Sequence, residues 1–196
     1  MESNYLYECI ISVIVENQPN ILTRVVGLLS RRGFMIESLA VGSTEYESLS
    51  RIVIVLPGNL RIIDQLTRQL YRIFSTVKVF NLTNFSSIKR ELILLKILVG
   101  AKERLKVLQI TKVFGIKIID YTNKTVTLEI IGNDQKVFAI EQMLYKFGIL
   151  EKVKTGKIAL ISESLTLGQL YTVENNSIRR RMLNSHIIEL EAKFYL

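Results

Sequence analysis

Two asparagines flank a proline where a β-like apolar run gives way to a helical one. The stretch reads Glu16-Asn17-Gln18-Pro19-Asn20-Ile21-Leu22-Thr23-Arg24-Val25-Val26-Gly27-Leu28-Leu29-Ser30-Arg31-Arg32-Gly33-Phe34. Pro19 cannot donate to a strand ladder, so pairing stops there. Asn20 is a residue type that caps helices, and a cap there leaves the amides of Ile21, Leu22 and Thr23 facing the loop. Amides at a helix start carry partial positive charge and suit a carboxylate or a phosphate. The chemistry on offer is anion binding, and the plain alternative is an ordinary capped helix.

Other reactive residues are few. The single cysteine, Cys9, excludes an internal disulfide and sits in an apolar run, where a buried inert thiol is expected. The single histidine, His186, lies near the C-terminus, so no Cys/His zinc cluster can be assembled. Glu16, Glu37 and Glu129 fall on separate elements, where solvation or ion pairing accounts for them. There is no nucleophilic triad, no paired carboxylates at readable spacing and no glycine-rich phosphate loop.

The elements that position this loop repeat. Residues 7–15 alternate as a strand, 21–32 carry helical apolar spacing closed by Gly33, and 35–42 and 49–56 form a hairpin around Ser43–Ser48. A helix over 60–74, with Ile63, Leu66, Leu70 and Ile73 or Phe74 inward, and a strand over 77–83 complete βαββαβ. After an Asn84–Ser87 linker the order recurs: strand 91–99, helix 102–114 closed by Gly115, strands 116–121 and 125–131, helix 134–147, and a last strand over 149–161 interrupted by Gly156. This predicts an α+β protein of two tandem ferredoxin-like domains, at 7–84 and 90–161, with a tail over 162–196. Ser177–Leu196 can be drawn as an amphipathic helix or as a mobile tail. A four-stranded sheet with helices on one face leaves Ile10, Ile14, Ile52 and Ile54 to meet a second copy or the second domain, and a homodimer is expected.

Of 196 residues, 26 are Lys or Arg and 18 Asp or Glu, a net charge of +8. The positive charges are scattered apart from the Arg179-Arg180-Arg181 run, which fits solvated faces or an acidic partner. The first residues lack the features of a signal or transit peptide, and no apolar run reaches membrane-spanning length. A soluble, intracellular protein without a membrane partner is expected. Abundant isoleucine and scarce alanine suit an AT-rich genome such as a plastid's, which would place it in the stroma, or otherwise in a bacterial cytoplasm.

The motifs Glu16-Asn17-x-Pro19 through Gly27-Leu28, Ser30-Arg31-Arg32-Gly33-Phe34, Ile36-Glu37-Ser38-Leu39 and Leu49-Ser50-Arg51 resemble the regulatory (small) subunit of acetolactate synthase. So do Gln65-Leu66, Gln69-Leu70, Arg90-Glu91-Leu92-Ile93-Leu94-Leu95-Lys96-Ile97, Ala139-Ile140-Glu141-Gln142 and Thr155-Gly156-Lys157-Ile158, and the resemblance spans about residues 7–161. It implies an amino-acid-sensing ACT domain followed by a second ferredoxin-like domain, without catalysis of its own. Such subunits bind and activate a separate catalytic subunit of branched-chain amino-acid biosynthesis and in many members confer valine inhibition. Thiamine diphosphate, Mg²⁺ and FAD are then expected only in that partner, and no cofactor in this chain.

The resemblance further implies an effector held between two ACT domains. It would lie against Asn17, Asn20, Ile21 and Leu22 of one copy and Met35 and Ile36 at the start of strand 2 in the other. Two positions depart from the family pattern: its usual loop glycine is Asn20, and its usual strand-2 asparagine is Met35. Asn tolerates a positive φ, so Asn20 keeps the turn while crowding the ligand. Met35 offers only a weakly accepting sulfur, and an unpartnered charged group costs about 1–3 kcal/mol. Valine binding weaker than the family norm is expected, or an activator whose valine site is lost. An RRM-like nucleic-acid binder shares the element order, but Leu49–Leu56 has no aromatic on which to stack a base. A metal-sensing regulator would need His/Cys ligands that are missing.

Overall fold

Strict alternation makes β1 (Tyr7–Glu16) the spine of a first sheet. Cys9, Ile11, Val13 and Val15 point to one core, and Ile10, Ser12 and Ile14 to the opposite face. The computed structural model describes residues 7–100 and 102–162. After β1 come α1 (Ile21–Arg31), β2 (Ser38–Ser43), β3 (Leu49–Gly58), α2 (Leu60–Leu70) and β4 (Thr76–Asn81), with sheet order β2-β3-β1-β4. The second half gives β5 (Ser87–Leu98), α3 (Arg104–Phe114), β6 (Lys117–Tyr121), β7 (Thr125–Gly132), α4 (Asp134–Tyr145) and β8 (Ile149–Lys154), ordered β6-β7-β5-β8. β9 (Ile158–Ile161) pairs with β5 off that path. Both sheets are antiparallel throughout the pairings seen, as the predicted α+β, ferredoxin-like layout requires.

Each sheet buries one face under its two helices. Val25 and Leu29 of α1, and Ile63, Leu66 and Leu70 of α2, close on Ile11, Val13, Ile52 and Ile54. Val107 of α3, and Val137, Ile140 and Leu144 of α4, close on Ile93, Leu95, Leu128 and Ile130. Each fully buried aliphatic side chain contributes about 1.5–3 kcal/mol, enough to fix helices of only three turns that would not persist alone.

Several expectations shift. Ile52 and Ile54 pair with Val13 and Ile11 on the helix side, so Val53 and Val55 occupy the other face with Ile10 and Ile14. That face is itself buried in the single chain, so it gives no argument for a second copy. The second strand begins at Ser38, not residue 35, because Gly33 at φ 70 turns the chain and Phe34 N–H closes the helix on Leu29 O. Phe34 and Ile36 then pack on the first core before Glu37 N–H makes its bond to Val55 O. The helix predicted to 74 ends at Leu70, where tight turns bring Ile73 inward and leave Phe74 exposed. Helix 102–114 begins at Arg104, and strand 91–99 already starts at Ser87. The expected interruption of the last strand at Gly156, at φ 86, is present and separates β8 from β9. Beyond Ser162 the tail, including Ser177–Leu196 and His186, lies outside the described residues.

Candidate functional site

The β1–α1 loop is built by its backbone. Asn17 N–H donates to Ser48 O at 2.7 Å, Gln18 N–H to Glu16 O at 2.8 Å and Ile21 N–H to Gln18 O at 3.2 Å. Asn20 sits in the left-handed region at φ 65 and its side chain makes no capping bond. This corrects two expectations. Asn20 serves as a turn residue, not as a side-chain cap, because a positive φ aims its carboxamide away from the N2 and N3 amides. Ile21 N–H is already used by Gln18. The amides left without a hydrogen bond among the described residues are those of Leu22 and Thr23.

Two of the other three helices are capped by a side chain, whereas α3, like α1, has no side-chain capping bond. Asn59 Oδ1 accepts from Ile62 N–H at 3.1 Å, and Asn133 Oδ1 from Lys136 N–H at 3.0 Å, so α2 and α4 are closed by their own asparagines. α1 keeps its two amides for solvent or a ligand, with Leu22 exposed beside them. Asn17 is exposed, and its Oδ1 meets Ser50 Oγ at a long 3.5 Å. Its Nδ2 makes no bond among the described residues and can donate to a carboxylate. Gln18, which sequence reasoning passed over, steadies the loop: Ser75 Oγ donates to its Oε1 at 2.6 Å, and its Nε2 donates to Glu16 Oε2 at 2.9 Å. A polar residue beside Pro19 was the only signal for it.

Met35 and Ile36 stand elsewhere. Met35 is 72% exposed, while Ile36 leans on the first core. Ser38, which begins β2, is level with Val55 and hence with Ile10, seven residues up β1 from Asn17. At about 3.4 Å per residue that is a separation of about 24 Å. One chain therefore brings Asn17, Asn20, Ile21 and Leu22 together and leaves Met35 and Ile36 at the opposite end of the sheet. β2 is an edge strand, and Val41, Gly42 and Ser43 along it are exposed.

Cys9 is fully buried, and burial, with the nearby Glu8 charge, raises its thiol pKa and disfavours the thiolate. Among the described residues, no three of His, Cys, Asp and Glu gather as metal ligands, and no helix is long and apolar enough to cross a membrane.

Family comparisons place this geometry. The model of an AHAS small subunit-like ACT domain matches residues 11–78, and that of the small subunit of acetolactate synthase matches 90–163. The chain belongs to the acetolactate synthase small-subunit family. A probable acetolactate synthase small subunit of Archaeoglobus fulgidus is 39% identical over 151 residues, covering 77% of this chain and 94% of that protein. The chloroplastic acetolactate synthase small subunit 2 of Arabidopsis thaliana is 40% identical over 83% of this chain, which spans 34% of the plant protein. The crystal structure of the acetolactate synthase small subunit from Thermotoga maritima superposes with a TM-score of 0.74 at 31% identity, covering 81% of this chain and 99% of that one. The α1 loop falls within residues 11–78, the part that matches the ACT-domain model. The face on which an RRM would stack bases is the buried one bearing Ile10, Ile14, Val53 and Val55, which removes that alternative.

Proposed function

We propose that this chain is a non-catalytic regulatory subunit that binds the catalytic subunit of acetolactate synthase, raises its activity and senses a small amino acid. The relatives' names support the association. The observation that carries the sensing role is the uncapped start of α1, where the Leu22 and Thr23 amides carry no hydrogen bond among the described residues and the exposed Asn17 carboxamide lies a few residues before them, groups that suit a carboxylate. Because Met35 and Ile36 lie some 24 Å away by strand geometry, a ligand touching both groups requires two copies. The exposed β2 edge is a natural seam for such a homodimer. Thiamine diphosphate, Mg²⁺ and FAD belong to the catalytic partner in this reading.

Valine is the effector, held weakly because Met35 supplies no strong hydrogen-bonding anchor. Acetolactate formation is assayed with the catalytic subunit alone, with this chain, and with added valine. Stimulation is expected, with inhibition only at high valine concentration. Met35→Asn should tighten valine binding by about ten- to hundredfold in titration calorimetry, the worth of one restored polar contact to a charged group. Absence of stimulation refutes the regulatory role. Stimulation with no valine response by either protein favours an activator without a sensor.

A further inference from the structure

The two domains meet through the turn between β8 and β9, and one residue there holds three elements. Lys157 N–H donates to Ser38 Oγ at 3.0 Å, at the first residue of β2. Lys157 Nζ pairs with Glu8 on β1 and, at 2.9 Å, with Asp134, the first residue of α4. Gly156 makes the approach possible: at φ 86 it lies so close that an added Cβ would be 2.6 Å from Ser38 Oγ. Glu8, Ser38 and Val55 share the sheet face away from the first domain's helices, so the turn is seated on that face. Beside it is a cavity of about 380 Å³, walled by Glu37, Ser38, Leu39 and Val55 on one side and Glu91 and Lys154–Lys157 on the other. The lysines around it are already matched, Lys154 by Glu91 and Glu141 and Lys157 by Glu8 and Asp134. The cavity therefore serves better as room for movement than as a ligand pocket.

We propose that Ser38 and Lys157 are positioning residues that carry occupancy of the Met35–Ile36 seam to the second domain, by linking the start of β2 to the start of α4. The proposal rests on the effector reading above. Only Glu37 separates Ile36 from Ser38, so a ligand that shifts Met35 and Ile36 shifts the acceptor of Lys157 N–H. Lys157 converts that shift into a pull on Asp134, at the end of α4 that points to the joint. The neighbouring cavity lets the turn move without compressing a packed core.

The test uses the full chain, free and assembled with the catalytic subunit. Ser38→Ala removes the acceptor of Lys157 N–H, Lys157→Met removes both ion pairs, and Lys157→Arg keeps the charge. In the wild type, valine should alter hydrogen–deuterium exchange at Lys157 and in the first turn of α4. In Ser38→Ala and Lys157→Met that response should vanish, while calorimetric valine affinity stays within about threefold and stimulation of the partner persists. Valine inhibition of the assembled enzyme should weaken by about tenfold in both variants and return in Lys157→Arg. If valine gives no heat with the wild type, the effector reading fails by itself. The unliganded chain then decides the joint, because both variants must still raise exchange at the start of α4. Unchanged exchange there, or loss of valine binding together with the response, overturns the proposal.

Discussion

Gly156→Ala is the sharpest probe of how the domains are joined. An alanine at φ 86 sits in a region L-residues avoid, at about 1–2 kcal/mol. Its methyl group would also lie 2.6 Å from Ser38 Oγ, so the hydroxyl must rotate away and abandon Lys157 N–H. Loss of that bond adds about 1 kcal/mol, for about 2–3 kcal/mol in all. Ser38→Ala alone forfeits the same bond, about 1 kcal/mol. The double variant has no hydroxyl left to clash with, and the next neighbour of the added methyl, Leu39 O, is at an ordinary 3.5 Å. It should therefore cost about 1 kcal/mol less than the two single changes together, well outside the additivity expected of independent sites. Equilibrium urea unfolding, followed by circular dichroism on all four proteins, measures the cycle. Strict additivity would mean that Gly156 and Ser38 do not touch, and the joint would fall with it.

Burial pulls the Lys157 pKa down, but the hydrogen bonds and charges of Glu8 and Asp134 more than offset this and leave it above its ordinary 10.5. A raised folded-state value stabilises below pH 10.5 and is lost as pH climbs through the folded pKa, so the stability gap between wild type and Lys157→Met should close in that alkaline window in urea titrations. Cys9 should resist a thiol reagent at neutral pH in the native protein and react promptly in urea, since it is wholly buried with a raised pKa. Asn20→Gly should hold the turn at φ 65 without loss of stability, whereas Asn20→Ala should cost about 1 kcal/mol by thermal unfolding. Leu66→Ala, at a fully buried position under the first sheet, should cost about 2–5 kcal/mol.

The repeat of βαββαβ was legible because each helix carries its apolar residues at helical spacing and glycines 33 and 115 mark two of the helix ends. Sidedness was less legible. Ile52-Val53-Ile54-Val55-Leu56 is apolar at every position, so period two carries no signal, and only its register against β1 assigns the faces. At Asn20 the residue type fits both a side-chain cap and a left-handed turn, and the backbone takes the second. Asn17, Ile21 and Leu22 were readable as a group because they are neighbours in sequence. The joint was not: Lys157 and Glu8 are 149 positions apart, and a lysine in a polar turn looks like any solvated charge. Gly156 was visible as a break, but not the contact that demands it.

The energies at the joint suit a relay better than a rigid weld. One hydrogen bond and two ion pairs whose carboxylates are 34% and 47% exposed give together about 1–3 kcal/mol, since water screens such pairs. Couplings between regulatory sites typically lie in the same range of about 1–3 kcal/mol. An effector at the seam could therefore break or tighten the joint with a modest part of its binding energy. The apolar face beneath, with Ile10, Ile14, Val53 and Val55, stays buried while these polar contacts are made or broken. The polar contacts at Lys157, with the cavity beside them, give the proposed relay its movable part.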